Sequence, residues 1–139
     1  MVTLIENDIT VDEYLKLREK VCWRRLSNAQ AKKALDNSLY IVKAVDEAGN
    51  VIGMGRMVGD GAVICYIQDL IVLPKAQGQH VGSMIIDRLK TYAMGLKEEG
   101  TTLMLCLMCA KGREAFYEKH GFIARPTDTL GPGMISFLV

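Results

Sequence analysis

The chain has 139 residues, half of them hydrophobic, with a formal net charge of +1 at pH 7. This length predicts one domain over residues 1–139 with a full core, and the composition excludes a disordered chain. The balanced charge favours neither nucleic acid nor a membrane surface as a partner, and no apolar run is long enough to span a membrane. Polar residues near the start, Glu6, Asn7 and Asp8, are unlike a secretion signal.

The first part of the chain predicts a strand, two helices and an antiparallel meander. In order, we expect a strand over 2–6, a helix capped by Thr10 or Asp12, a second helix over 28–36, and strands over 38–44, 51–58 and 62–73. Gly53 and Gly55 weaken the second meander strand and indicate a bulge or a close backbone approach.

The loop between the two predicted helices holds Trp23, the only tryptophan of the chain, followed by Arg24 and Arg25. One interpretation is a surface turn with a single aromatic side chain anchored in the core. The other is the wall of a substrate pocket, in which Arg24 or Arg25 attracts an acidic group of the substrate.

Four cysteines, Cys22, Cys65, Cys106 and Cys109, have apolar neighbours in the sequence, which is typical of reduced thiols in the core of a cytoplasmic protein. The C-x-x-C formed by Cys106 and Cys109 lies in a strand-like run, where positions three apart face opposite sides. No second Cys or His pair accompanies it. We therefore expect neither a metal site nor a redox site.

The second part of the chain predicts a strand–loop–helix–strand crossover. The strand ends at Pro74, a polar loop over 75–83 follows, and a helix over 81–97 carries apolar residues at spacings of three and four. The strand after it, over 101–109, is expected to run parallel to the strand over 62–73. A short helix over 111–119, a strand beginning at 122–124, a loop over 125–133 and a last strand over 134–139 complete the prediction.

The junction at this loop is an expected anion site. The unpaired N–H groups of the first helical turn and the positive end of the helix dipole attract phosphate, so we expect a pyrophosphate between Gln77 and Ser83. By shape alone, a strand–helix turn that binds nothing would look the same. The P-loop motif is absent, and the only G-x-G, at Gly53 and Gly55, has no third glycine and no helix after it.

The loop sequence resembles the Q/R-x-x-G-x-G/A signature of the GCN5-related N-acetyltransferase (GNAT) family. It reads Gln77-Gly78-Gln79-His80-Val81-Gly82, with His80 in place of the middle glycine. The segment from Phe116 to Phe122 resembles the second signature of that family, aromatic-Tyr-x-x-x-Gly-Phe. The resemblance implies an α/β GNAT fold, with a mixed central sheet of about six or seven strands and helices on both faces. It also implies acetyl-CoA as co-substrate and a small-molecule amine as partner. It does not fix the oligomeric state, and a homodimer is compatible with it.

The resemblance also implies roles for individual residues. The backbone of Leu70, Ile71 and Val72 would pair with the pantetheine arm and supply an oxyanion donor, and the pyrophosphate would lie on the backbone of Gln77, Gly78, Gln79, His80, Val81, Gly82 and Ser83. We also expect Trp23, Arg24 and Gln68 to face the substrate. We expect His80 to be tolerated because the position needs space more than a left-handed backbone, or because the imidazole turns outward.

Tyr117 is the implied general acid, because the pKa of a phenol lies close to that of the departing thiol. The alternative is a core tyrosine whose hydroxyl is bonded to the backbone. Asp69 is the candidate general base, with two alternatives: a water held by backbone carbonyls, and a purely structural ion-pair role for the carboxylate.

Within the family, the motif sequences most resemble those of the small enzymes that acetylate glucosamine 6-phosphate. Those enzymes carry an acidic pair where this chain has Gln68-Asp69, and an asparagine before the Phe116-Tyr117 pair that this chain lacks. We therefore expect acetyl transfer to the primary amine of an unassigned small molecule, directly within a ternary complex. The alternatives are a non-catalytic acyl-CoA-binding module, which His80 would favour, a protein N-acetyltransferase, or an adaptor that recruits a partner at its sheet edge.

Overall fold

The computed structural model describes residues 1–139, which form two compact units, Met1–Cys106 and Leu107–Val139. The elements are β1 (Thr3–Glu6), α1 (Val11–Lys20), α2 (Asn28–Asp36), β2 (Tyr40–Val45), β3 (Val51–Gly59), β4 (Ile64–Val72), α3 (Val81–Leu96), β5 (Met104–Leu107) and α4 (Glu114–Lys119). A single 3-10 turn, Pro74–Ala76, lies between β4 and α3. None of the helices has both the length and the apolar character that a membrane crossing needs.

The strands form one sheet in the order β1-β2-β3-β4-β5. The first four strands are antiparallel neighbours, and the α3 crossover brings β5 beside β4, which makes the sheet mixed. The expected α/β fold with a mixed sheet and helices on both faces is confirmed. The sheet has five strands, however, and not the expected six or seven.

The prediction of two strands near the end of the chain, one beginning at 122–124 and one over 134–139, is wrong. Residues 120–139 form no helix or strand, and the apolar side chains of Met134, Ile135 and Leu138 are exposed. A strand exists only where its backbone pairs with a neighbour, and an apolar run does not supply that neighbour. Pro126 also removes a backbone donor shortly after the first of these runs.

The two N-terminal helices begin at capping boxes that the sequence encodes. The Thr10 hydroxyl accepts from the backbone N–H of Glu13, whose carboxylate accepts from the N–H of Thr10. Ser27 and Gln30 repeat the arrangement at α2. Each box satisfies two backbone donors that a helix start otherwise leaves unpaired, so the loop between α1 and α2 leads into a fixed helix start.

One face of the sheet packs against α1 and α2, and the other packs against α3. The first face forms a core from buried helix and strand side chains, Tyr14, Leu17, Ala31, Ile41, Met54, Ile71 and Leu73. On the second face, Gly55 lies under α3: a Cβ placed on it would come 2.5 Å from Ile85 Cγ2 and 2.9 Å from Leu89 Cδ1. The close backbone approach expected at this glycine is therefore confirmed.

Candidate active site

A β-bulge interrupts β4 at Gln68. Arg56 on β3 pairs with Asp69, whereas the next residue, Met57, pairs with Ile67, so Gln68 has no partner in the register. Its side chain is exposed, while Ile67 and Asp69 on either side are buried. A bulge of this kind bends the strand and re-aims one side chain. The predicted substrate residue Gln68 is thus presented to solvent from the middle of a sheet strand.

The loop between β4 and α3 is closed by short-range hydrogen bonds. The backbone N–H of Gln77 bonds to the carbonyl of Pro74 at 3.2 Å, and the Gln77 amide donates to the carbonyl of Val72 at 3.1 Å. The Gln79 amide donates to the carbonyl of Lys75 at 3.4 Å. Both glutamines of the motif therefore use their side chains to hold the turn, and residues 77–80 are exposed.

The start of α3 leaves backbone donors without an acceptor inside the helix. Its first intrahelical bond runs from the N–H of Met84 to the carbonyl of His80, at 3.0 Å. The N–H groups of Val81 and Gly82 precede that bond and have no acceptor inside the helix. The side chain of His80, the N-cap residue, makes no capping hydrogen bond. These donors lie at the positive end of a helix of 16 residues, the kind of position that can attract an anion.

His80 corrects one expectation. It stands in the left-handed region, at φ 63° and ψ 15°, as does Gly78 at φ 83°. A glycine would serve this position for its backbone freedom, so the expectation that the position needs space more than a left-handed backbone is wrong. The other part of the expectation, an imidazole that turns outward, stays a prediction for this exposed residue.

Two residues separate the end of α1 from Trp23 and Arg24. The N–H of Trp23 bonds to the carbonyl of Arg18 at 3.0 Å, and Cys22 before it is left-handed at φ 60°. The Trp23 side chain is 38% exposed and Arg24 is exposed, so neither is anchored in the core. The sharp turn at Cys22 therefore places an indole ring on the surface of the first unit.

The carboxylate of Asp69 is buried and accepts hydrogen bonds from three side chains. Arg56 Nε donates at 2.6 Å and the Tyr14 hydroxyl at 2.7 Å to Oδ2, and an Arg18 guanidinium nitrogen donates at 3.4 Å to Oδ1. Burial, followed by the neighbouring Asp69 charge, raises the pKa of Tyr14 to about 12, so Tyr14 remains a donor. These are the contacts of a structural ion-pair partner, and they argue against a base that faces a substrate.

Tyr117 lies on α4 in the second unit. Its ring meets those of Phe116 and Phe122 edge-on, with centroids 5.1 and 5.9 Å away. Burial, and then the nearby Cys109 thiol, raises the pKa of the Tyr117 phenol, so it stays protonated at neutral pH. The ring contacts with Phe116 and Phe122 fix the position of the phenol, and its role as an acid stays a prediction.

Sequence reasoning missed the three partners of Asp69. Tyr14 and Arg18 lie one helical turn apart on α1, so they share a face, and Arg56 is a charged residue inside an otherwise apolar strand. That second feature could have indicated a buried pair, because a buried arginine needs a counter-charge. Its partner depends on the register of β3 against β4, which no local pattern shows.

The cysteines are all free, but only Cys65 is buried, and Cys22 and Cys109 are exposed. The expectation that all four lie in the core is therefore wrong. No group of three or more His, Cys, Asp or Glu side chains converges in the structure.

A family model described as an acetyltransferase (GNAT) domain matches residues 36–124, which include the bulge, the loop, α3 and Tyr117. The chain belongs to the GNAT acetyltransferase family. Two relatives are 30% identical to this GNAT protein: an uncharacterized N-acetyltransferase ycf52-like protein of Prochlorococcus marinus, over 82% of this chain, and the histone acetyltransferase TAP1 of Glycine max, over 89%. The chain spans 63% and 56% of the lengths of these two proteins.

Solved structures show the same fold. A probable acetyltransferase of unknown function from meticillin-resistant Staphylococcus aureus, SA2161, superposes with a TM-score of 0.86 at 30% identity, over 99% of this chain and 100% of that one. The glucosamine-6-phosphate N-acetyltransferase of Arabidopsis thaliana superposes with a TM-score of 0.70, over 99% of each chain, at 13% identity. The second likeness shows a common fold and does not bear on the sugar phosphate as a substrate.

Proposed function

We propose that this GNAT protein transfers the acetyl group of acetyl-CoA to the primary amine of a small molecule, directly within a ternary complex, in the cytoplasm. The observation that carries the proposal is the backbone at the start of α3, where left-handed Gly78 and His80 lead into the unpaired N–H groups of Val81 and Gly82. Membership of an acetyltransferase family adds the reaction class.

The residues present fit acetyl-CoA. A pyrophosphate needs converging N–H donors without carboxylates beside them, and the loop from Gln77 to Ser83 contains no acidic residue. The loop backbone would hold the pyrophosphate, and the backbone of Leu70 to Val72 would pair with the pantetheine arm. When bound, the co-substrate supplies the activated acetyl group; the chain supplies orientation, an oxyanion donor and proton transfer.

Two steps fall to residues of the chain. A backbone N–H between Leu70 and Val72 would stabilise the oxyanion that forms when the amine attacks the thioester carbonyl. Tyr117 would then give its proton to the departing sulfur, so that the carbon–sulfur bond breaks to release a thiol and not a thiolate. The raised pKa of Tyr117 supports this role, since an acid must hold its proton until the transfer.

The acceptor amine has to lose a proton before it attacks. Because the oxygens of Asp69 are occupied by Tyr14 and two arginines, we propose that a water held by backbone carbonyls accepts that proton. Gln68, exposed at the bulge, and Trp23 with Arg24 are the residues that we propose face the acceptor.

A protein acceptor is the second candidate. The observation in its favour is the 30% identity to a Glycine max protein named as a histone acetyltransferase. In that case the amine would belong to a lysine side chain or to a chain terminus, and the reaction at the thioester would be unchanged.

The test has two stages. In the first, acetyl-CoA is titrated while the melting temperature is followed; a ligand that binds only the native state raises it, and no rise would overturn acetyl-CoA binding. In the second, thiol release is measured with a panel of small primary amines and, separately, with a lysine-rich histone-tail peptide. Release with an amine supports the proposal, release with the peptide alone supports the protein acceptor, and binding without release supports a module without turnover.

A further inference from the structure

Arg18 occupies a central place in the first unit. Its side chain is only 12% exposed, and its guanidinium lies between α1, β4 and the segment that follows α1. One terminal nitrogen is 3.4 Å from Asp69 Oδ1, and the other donates to the backbone carbonyl of Arg24 at 2.9 Å. One side chain therefore connects a buried strand carboxylate to a surface loop.

The same guanidinium lies close to two aromatic rings. Its central carbon is 5.4 Å from the centroid of the Trp23 ring and 5.6 Å from that of Tyr14. These are cation–π distances. The Trp23 ring is 38% exposed, and the Arg18 guanidinium is one of the contacts that it makes with the rest of the first unit.

The arrangement carries a cost. Arg18 Nε is buried and has no hydrogen-bond partner, a state that folded proteins rarely keep without a reason. The two terminal nitrogens are placed to reach Asp69 and Arg24, and the third donor is left unsatisfied.

We propose that Arg18 is a positioning residue that holds the acceptor-facing loop, Trp23 and Arg24, against the bulged part of β4. Asp69 comes directly after Gln68, so the guanidinium ties the loop to the strand residue next to the bulge. This inference rests on the proposed function, in which Trp23, Arg24 and Gln68 face the acceptor amine. Arg18 itself touches no reacting atom.

The planar fork of arginine is what this role needs. Its two terminal nitrogens can bond to acceptors on different elements at once, whereas the single ammonium of a lysine is a point charge. If Arg18 served only to neutralise Asp69, a lysine at this position would preserve its function. If Arg18 positions the loop, a lysine would not preserve it.

The experiment compares Arg18→Lys and Arg18→Met with wild type, and uses Arg88→Met as a matched control, because Arg88 pairs with Glu6 at a more exposed site. Acrylamide quenching and the emission maximum of Trp23, the only tryptophan, report the loop without any substrate. The KM for the best small amine of the panel, the KM for acetyl-CoA, kcat and the melting temperature are measured on the same proteins.

We expect both Arg18 variants to raise the KM for the amine about tenfold or more, the loss typical of one charge-assisted hydrogen bond, with the KM for acetyl-CoA unchanged. Quenching of Trp23 should increase and its emission should move to longer wavelength. The control should match wild type in both measurements.

Full rescue by lysine would overturn the proposal, as would Trp23 emission and quenching that are identical in all four proteins. A rise of both KM values in parallel with a fall in melting temperature would also overturn it, since that is the signature of general destabilisation. Failure of the proposed function is a different result: wild type would release no thiol with any amine, and the fluorescence data would then decide the role of Arg18 alone.

Discussion

Arg56 Nε on β3 lies 2.6 Å from Asp69 Oδ2 on β4, at the last register pair before the bulge at Gln68. Both side chains are buried, and the Arg56 guanidinium also donates to the hydroxyl of Ser38 at 3.1 Å. An ion pair with these additional hydrogen bonds meets the condition under which burial of two charges is tolerated.

Replacing Asp69 by Asn should destabilise the fold, because it leaves the buried Arg56 and the part-buried Arg18 without a counter-charge. We expect the free energy of unfolding to fall by about 3–5 kcal/mol, as for other buried pairs that lose one partner. Urea unfolding measures it. Asp36→Asn, which breaks the exposed pair with Lys32, is the control and should change stability by less than about 0.5 kcal/mol. A stable Asp69→Asn protein that has lost only kcat would restore Asp69 as the base.

Replacing Gly55 by Ala tests the packing of α3 on the sheet. The new Cβ would lie 2.5 Å from Ile85 Cγ2, so α3 or its side chains must shift, and overpacking of this kind costs about 1–3 kcal/mol. Gly95, which lies within α3 and has nothing within 4 Å of an added Cβ, is the matched control. Gly95→Ala should stabilise the protein by up to about 1 kcal/mol through helix propensity. Equal effects of the two substitutions in thermal unfolding would contradict this packing.

Replacing His80 by Gly should stabilise the protein. A residue other than glycine pays about 1–2 kcal/mol to adopt the left-handed conformation, and part of that cost returns when the side chain is removed. Urea unfolding again measures the change. Gln79→Gly, next to it at a position without positive φ, is the control and should be destabilising. If both glycine variants lose stability to the same extent, the backbone at His80 is not strained.

Replacing Gly82 by Leu should weaken acetyl-CoA binding. The side chain would stand at the first turn of α3, where the proposed pyrophosphate meets the Val81 and Gly82 N–H groups, and we expect the Kd to rise about tenfold or more, the loss expected for one charge-assisted hydrogen bond. Isothermal titration measures the Kd, and circular dichroism checks that the fold is intact. Gly95→Leu places the same side chain further along the same helix in open space and should leave the Kd unchanged. An unchanged Kd in a folded Gly82→Leu protein would remove the pyrophosphate from this loop.

Replacing Tyr117 by Phe should lower kcat while acetyl-CoA still binds. The ring contacts with Phe116 and Phe122 remain and only the proton donor is lost, so we expect a decrease of about a hundred- to ten-thousand-fold. Tyr92→Phe, on α3, is the control. A Tyr117→Phe enzyme with wild-type turnover, measured where chemistry limits kcat, would assign the protonation of sulfur to another group.

The pH profile gives a second measure of the same role. Because the pKa of Tyr117 is raised, the acid form persists above the usual phenol pKa of about 10 and is lost only as the pH rises through the raised value. The wild-type rate should therefore fall on that alkaline limb, and the Tyr117→Phe protein should lack the limb.

The sequence alone determined those parts of the protein whose interactions join residues close together in the chain. Helix α2 begins and ends where predicted because Ser27 and Gln30 form its cap within one turn, and the meander and the start of α3 follow from Gly, Pro and apolar spacing. The loop from Gln77 to Gly82 could be read as an anion site, since its donors come from the helix start itself.

The tertiary structure decided what depends on residues far apart in the chain. The partners of Asp69 stand 13, 51 and 55 positions away, and they meet it only because β3 and β4 pair in one register and α1 packs on that face. The same dependence explains the missing strands after Phe122, since an apolar run becomes a strand only when another strand is there to pair with it. Local sequence patterns indicate hydrogen bonds that form within one turn. Pairing across the sheet is set by the packing of the whole core, and that pairing brings the arginines to Asp69.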